Sequence, residues 1–333
     1  ICIGGGVFAA HAENEIRELA DLMQIPVITT MMGISVFPDD DQLFCGMIGT
    51  HGVKMANAAV NECDVLFLVG ARVGDRAVKT PLALEKTTKI IHIDIDPAEI
   101  GKNIGADLPL VGDAKLVLQQ MAELAKPMKH DEWIAHIKTL GGEREYVEPA
   151  NGTVNPRVFI DRLAKKMPAN VTVVADVGQN QIWTFTEYKF RKEGRLLTSG
   201  GMGTMGYSVP AAIGAKMADN SRATVAICGD GAFQMSFMEL ATAVQFGVDI
   251  KVVVMTNNRL GMVRELQTNG YHDRQTAVFL DGSPDFIKLA EAYGIPAMRV
   301  YDDDTMEKGI EMLAEHKGIC LVEVVVDKDM PTL

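Results

Sequence analysis

Asp230 and Asn257 offer a carboxylate and an amide oxygen. These are hard donors of the kind that hold Mg²⁺ while phosphate oxygens complete its octahedral shell. Asp230 lies in Gly229-Asp230-Gly231-Ala232, directly after the apolar run 223–228, and Asn257-Asn258 directly follows the apolar run 250–256. A helical pattern over 237–246 separates the two runs, so the unit reads as strand, helix, strand. In an open parallel sheet, ligands sit beyond the carboxyl ends of strands, which sends Asp230 and Asn257 into one crevice. Gly231 and Ala232 open the helix and are expected to point N–H groups at the same phosphates. Gly-Asp-Gly alone is a common turn. The information lies in the interval: twenty-five residues, 232 to 256, separate Gly231 from Asn257, and one strand–helix–strand unit fills them.

The elements that must position these residues fall into two series. In the first half, strands are expected at 1–3, 26–29, 65–69 and 89–93, with helices near 12–23, 53–61 and 114–124. Apolar residues there recur at helical spacing, as at Ile16, Leu19, Ala20 and Met23. In the second half, strands are expected at 171–175, 195–198, 223–228, 250–256 and 320–326. Runs such as Val252-Val253-Val254 point to burial on both faces. The expected fold class is α/β, two doubly wound parallel-sheet domains at 1–125 and 156–333. A polar linker is expected over 126–155, where Pro127, Gly141-Gly142, Pro149 and Gly152 cluster around an amphipathic piece at 133–140. Asn155-Pro156 then opens a helix with Pro in its first turn.

Composition excludes whole classes of partner. A formal net charge of −12 argues against nucleic acid and anionic membrane surfaces, which need excess cationic side chains. The 47% hydrophobic and 23% charged content fits globular domains and not general disorder. No apolar run reaches the length of a membrane span. Five scattered cysteines without a C-x-x-C pair read as reduced thiols of a cytoplasmic protein. The chain opens inside an apparent strand, Ile1-Cys2-Ile3, so a fragment of a longer protein is expected.

The Gly-Asp-Gly to Asn-Asn interval resembles the signature of thiamin-diphosphate enzymes, and the surrounding residues are most similar to acetolactate synthases (acetohydroxyacid synthases). Gly200-Gly201-Met202-Gly203-Thr204-Met205-Gly206-Tyr207, followed by Pro210-Ala211-Ala212-Ile213-Gly214-Ala215, resembles that family's G-G-x-G-T-M-G-Y…P-A-A-I-G-A block. Val177-Gly178-Gln179-Asn180-Gln181-Ile182-Trp183 resembles V-G-Q-H-Q-M-W. The resemblance implies that Asp230, Asn257 and the backbone carbonyl of Arg259 bind Mg²⁺. It implies that Val177, Gly178, Gln179, Asn180, Gly231, Ala232, Leu260, Gly261 and Met262 surround thiamin diphosphate. Met205 is implied as the apolar wedge that bends the cofactor, with the Gly203 carbonyl accepting from its exocyclic amine; Met205, Gly203 and Gln179 are therefore the catalytic candidates. Asn180 stands where the family carries His. An amide can donate to a phosphate but cannot carry a proton at neutral pH.

The first half resembles the same family's middle domain. Gly4-Gly5-Gly6, Thr29-Thr30, Gly49-Thr50-His51-Gly52, Gly70-Ala71-Arg72, Arg76, Asp94-Ile95 and Gly112-Asp113-Ala114 match positions that line FAD in that family. Glycines admit backbone to a pyrophosphate, Arg72 neutralises it, and an acid at a strand end takes ribose hydroxyls. Val73-Gly74 replaces the family's Phe-Asp, and Glu99 replaces an Asn.

The implied activity is decarboxylation of pyruvate on thiamin diphosphate and condensation with a second 2-keto acid to give 2-acetolactate, in branched-chain amino acid biosynthesis or an acetoin pathway. Members that favour 2-ketobutyrate carry Trp in G-M-V-x-x-W. Here the segment reads Gly261-Met262-Val263-Arg264-Glu265-Leu266, which implies a preference for pyruvate. The implied partners are a homodimer or tetramer, a regulatory small subunit, and an N-terminal pyrimidine-binding domain that supplies the activating Glu. Two alternatives stay open: a cofactor-binding module inactive without that domain, and another thiamin-diphosphate 2-oxoacid decarboxylase or carboligase.

Overall fold

The computed structural model describes residues 1–141 and 146–333, and the chain divides into two compact units, Ile1–Arg144 and Glu145–Leu333. In the first unit the strands are β1 (Cys2–Ile3), β2 (Val27–Thr29), β3 (Phe44–Met47), β4 (Val65–Val69), β5 (Lys89–Asp94) and β6 (Leu108–Val111). All pairings are parallel, in the order β3-β2-β1-β4-β5-β6. The chain reverses its direction of travel across the sheet between β1 and β4, which makes their carboxyl ends a switch point.

Alternation along these strands divides the core into two layers. Ile3, Val69 and Ile93 pack on one face with Ile16, Leu19 and Leu118 of the flanking helices. Cys2, Leu68 and Ile90 pack on the other with Ala56, Val60 and Ile137. Both faces are covered, as a parallel sheet requires.

In the second unit the strands are β7 (Thr172–Ala175), β8 (Arg195–Thr198), β9 (Thr224–Gly229), β10 (Lys251–Thr256), β11 (Ala297–Val300) and β12 (Cys320–Val325), all parallel, in the order β11-β12-β10-β9-β7-β8. Here the switch point lies between β7 and β9. Every residue of β10 is buried, as the Val run suggests. The Asn155 side chain accepts from the N–H groups of Arg157 and Val158 and caps the helix Pro156–Lys166, with Pro156 in the first turn as expected.

The structure adds three strands to the sequence expectation. β6 is an exposed edge carrying Pro109, a place where a missing N–H does little harm. β3 contains Gly46 at φ 98° and meets β2 across an irregular register. β11 carries Arg299, which pairs with Glu323 of β12 at 2.8 Å. Each is four residues long and interrupts the apolar pattern.

The segment expected as a linker is shared between the units, its described residues 126–141 falling in the first and 146–155 in the second. Its helix Asp131–Thr139 buries Ile137 completely against the layer formed with Ala56 and Val60. Gly142, part of the expected Gly-Gly break, lies outside the described residues.

Candidate functional site

Asp230 stands at the carboxyl end of β9 with 2% of its surface exposed. Its Oδ1 accepts the Gly231 N–H at 2.8 Å, and its Oδ2 accepts the N–H groups of Asn257 at 3.2 Å and Asn258 at 2.6 Å. One carboxylate thus ties the Gly-Asp-Gly turn to the end of β10. The Asn258 backbone, at φ 53°, makes the bend that brings both amides round. Burial pushes the Asp230 carboxyl up to about 6, the three N–H bonds pull it back, and Glu323 adds to the rise.

Asn257 Oδ1 accepts the Arg259 N–H at 3.1 Å, and its Nδ2 donates to Gln179 Oε1 at 3.2 Å. A carboxylate has about four acceptor positions and an amide oxygen two, so Asp230 and Asn257 each keep one for a cation. The donor set is all oxygen, which suits Mg²⁺. Among the described residues no three His, Cys, Asp or Glu side chains gather as metal ligands. A cation here therefore depends on amide, carbonyl and phosphate oxygens beside one carboxylate.

The cleft above these residues is lined by Val177, Gly178, Gln179, Asn180, Met205, Gly231, Ala232, Asn257, Arg259, Leu260, Gly261 and Met262, all read as site residues from the sequence. Trp183, Gly229, Met255, Val263 and Leu266 complete the wall. At two glycines a Cβ would crowd side chains of the site. A Cβ on Gly261 would lie 1.9 Å from Gln179 Oε1, and one on Gly231 would lie 2.7 Å from Leu260 Cδ2 and 3.5 Å from Met205 Cε. Met205 therefore leans over the Gly-Asp-Gly turn.

Two expectations need correction. Asn180 is expected to donate to phosphate, but its Nδ2 donates to the carbonyls of Asp176 at 2.9 Å and Ile227 at 3.2 Å. The side chain is 2% exposed and stitches β7 to β9 beneath the cleft. The Gly231 N–H is turned onto Asp230 and not outward. Gly203 sits on an exposed stretch outside the cleft lining, at φ 65°, with its N–H on the Ser199 carbonyl at 2.7 Å.

Sequence reasoning missed Asp176. This fully buried acid follows β7 and accepts the N–H groups of Val177, Gly206 and Ser208. The signal was available, since an acid directly after a buried strand is also what marked Asp230. Glu265 and Thr332, which hold Gln179 from behind, carried no comparable signal.

In the first unit the FAD candidates follow the carboxyl ends of the strands: Gly4–Gly6 after β1, Thr29 and Thr30 at β2, Thr50 and His51 after β3, Gly70–Arg72 and Arg76 after β4, Asp94 and Ile95 at β5, Asp113 and Ala114 after β6. Gly4 and Gly6 pack directly on Gly70: the Gly6 N–H donates to the Gly70 carbonyl at 3.0 Å, and a Cβ on Gly4 would lie 2.1 Å from that oxygen. Arg72, Arg76 and Ile95 are exposed, whereas Thr29, Ala71 and Ala114 are buried. Asp113 caps the helix Ala114–Leu124 by accepting the Leu116 N–H.

Comparison with known proteins agrees with this layout. The central domain of thiamine pyrophosphate enzymes matches residues 1–121, and their C-terminal TPP binding domain matches residues 176–324. The chain belongs to the thiamine pyrophosphate enzymes. Its curated relatives include the probable acetolactate synthase large subunit of Methanocaldococcus jannaschii, 40% identical over 98% of this chain and 57% of that protein. The acetolactate synthase large subunits of Lactococcus lactis and Corynebacterium glutamicum are 36% and 39% identical, each over 98% of this chain, and over 57% and 54% of their own lengths. The chain thus spans a little over half the length of these relatives. Among the described residues no helix is long and apolar enough to cross a membrane.

Proposed function

We propose that this chain forms the central and C-terminal parts of an acetolactate synthase catalytic subunit, which decarboxylates pyruvate and joins the two-carbon unit to a second 2-keto acid, pyruvate preferred. The observation that carries the reading is the meeting of Asp230 and Asn257 at the carboxyl ends of the neighbouring strands β9 and β10, under a cleft walled by Met205, Leu260 and Met262.

Thiamin diphosphate, when bound, supplies the carbon nucleophile and the electron sink of the reaction. Asp230, Asn257 and the Arg259 carbonyl would hold Mg²⁺, with Ala232 at the opening of the short helix beside them. Met205 stands over Gly231 and would be the apolar wedge that orients the cofactor. Val177, Leu260 and Met262 exclude water, which strengthens the polar contacts inside the cleft. In the first unit, the glycines, Arg72, Arg76 and Asp94 at the strand ends support binding of FAD. The proposed partners are a second catalytic subunit, an N-terminal pyrimidine-binding domain and a regulatory small subunit.

The test is calorimetric titration of thiamin diphosphate into the full-length protein with and without Mg²⁺, followed by acetolactate formation from pyruvate. Asp230→Ala and Asn257→Ala should each abolish Mg²⁺-dependent binding while circular dichroism stays native. Unchanged affinity in both variants would sink the assignment. Flavin absorbance of the purified protein tests the FAD proposal separately.

A further inference from the structure

Asn257 and Gln179 both end in amides, and an amide is directional, with one end that accepts and one that donates. For Asn257 to offer oxygen to a cation its nitrogen must be turned away, and a neighbouring acceptor must hold it there. That acceptor is Gln179 Oε1, 3.2 Å from Asn257 Nδ2. Gln179 is held in turn: its Nε2 donates to Glu265 Oε2 at 3.2 Å, to the Met330 carbonyl at 2.9 Å and to the Thr332 hydroxyl at 3.2 Å. Glu265 also accepts the Thr332 N–H at 3.1 Å and bonds the Thr332 hydroxyl.

A carboxylate only accepts. Reversing Gln179 would set its Oε1 against Glu265 Oε2 and the Met330 carbonyl, oxygen against oxygen. With Gln179 fixed, reversing Asn257 would do the same one step further on, and would also turn its Nδ2 onto the Arg259 N–H that Oδ1 accepts. The orientation of the chain of amides is therefore set by two acceptors, the Met330 carbonyl and Glu265, an acid on the helix Gly261–Gly270 whose side chain reaches Gln179 and Thr332, not Asn257.

We propose that Glu265 is a positioning residue for cation binding: through Gln179, and beside the Met330 carbonyl and the Arg259 N–H, it helps to set which end of the Asn257 amide faces the cleft. The proposal rests on the reading of Asp230 and Asn257 as cation ligands. Partners beyond the ligands themselves commonly account for 10–100-fold in metal affinity. Glu265→Gln is nearly isosteric but can present either end of an amide, so it removes the Glu265 share of the directionality, leaves that of the Met330 carbonyl, and keeps the packing.

The experiment is calorimetric titration of Mg²⁺ into the full-length protein at saturating thiamin diphosphate, with a thermal melt of each variant. Glu265→Gln should weaken Mg²⁺ binding about tenfold or more, while Glu265→Asp, which still only accepts, retains most of the affinity. In an Asn257→Asp background there is no donor end to misplace, so adding Glu265→Gln should cost little further. Equal losses in both backgrounds, or wild-type affinity in Glu265→Gln, overturn the relay alone. Failure of the unmodified protein to bind Mg²⁺ overturns the ligand reading, and the relay with it.

Discussion

The Gly206 N–H donates to the Asp176 carboxylate at 3.0 Å, so the turn that carries Met205 hangs from the end of β7. The other carboxylate oxygen accepts the Ser208 N–H at 2.8 Å, at the first residue of the helix Ser208–Ala218, where a negative charge also suits the helix dipole. Asp176→Asn keeps one acceptor oxygen and turns an NH₂ toward an N–H group. The expected cost is about 1–3 kcal/mol of stability, as for a buried group left unsatisfied. Thiamin diphosphate affinity should fall with it because Met205 loses its anchor. Denaturant unfolding and cofactor titration measure the two effects, and an unchanged cofactor affinity would refute the positioning role.

Asp230 makes stability depend on pH. In the cation-free protein its carboxyl is raised from 3.8 to about 6, chiefly by burial. A folded value above the unfolded one means that this contribution is fully present below about 3.8 and is lost as pH rises through about 6. The span is on the order of 3 kcal/mol. Cation binding needs the ionised form and offsets the loss. The rise in melting temperature caused by Mg²⁺ and thiamin diphosphate should therefore grow from pH 5 to pH 7.5, and should be nearly flat in Asp230→Asn. A flat response in the unmodified protein would contradict this.

Gly261→Ala tests the packing beneath the cleft. The new methyl would lie 1.9 Å from Gln179 Oε1 and 3.1 Å from Asn257 Nδ2, so both amides must move. Overpacking of this kind costs about 1–3 kcal/mol. The expected result is a modest drop in melting temperature with a disproportionate loss of Mg²⁺-dependent cofactor binding. Gly214→Ala, with open space around its Cβ position, serves as the control that should leave binding intact.

Leu266 lines the cleft with 59% of its surface exposed, and it presents a smaller wall than an aromatic residue would. A hydrophobic pocket discriminates one methylene by about 1–3 kcal/mol. Pyruvate homocondensation should dominate when pyruvate and 2-ketobutyrate compete at equal concentration, and Leu266→Trp should shift the product ratio toward acetohydroxybutyrate by about tenfold or more. Chromatography of the competition products decides it; a mostly acetohydroxybutyrate output from the unmodified protein would reverse the inference.

The sequence by itself determined which chemistry was possible. Hard oxygen donors at the ends of two buried runs, glycines where backbone or amides come close, and apolar periodicity that switches between strand and helix spacing are all local properties. They placed Asp230, Asn257 and Gly231 on the correct strand and helix ends. Short edge strands escaped because Pro109, Gly46 and Arg299 break the alternation that local reading depends on. Only the tertiary structure decided which way each polar group turns. Asn180 donates to a carbonyl 47 residues away, and Gln179 to one 151 residues away. An amide or carboxylate has several hydrogen-bonding choices of similar strength, and the partner that burial brings within 3 Å selects among them. Spacing along the chain cannot show that partner, because the folded sheet creates it by placing β9 beside β7.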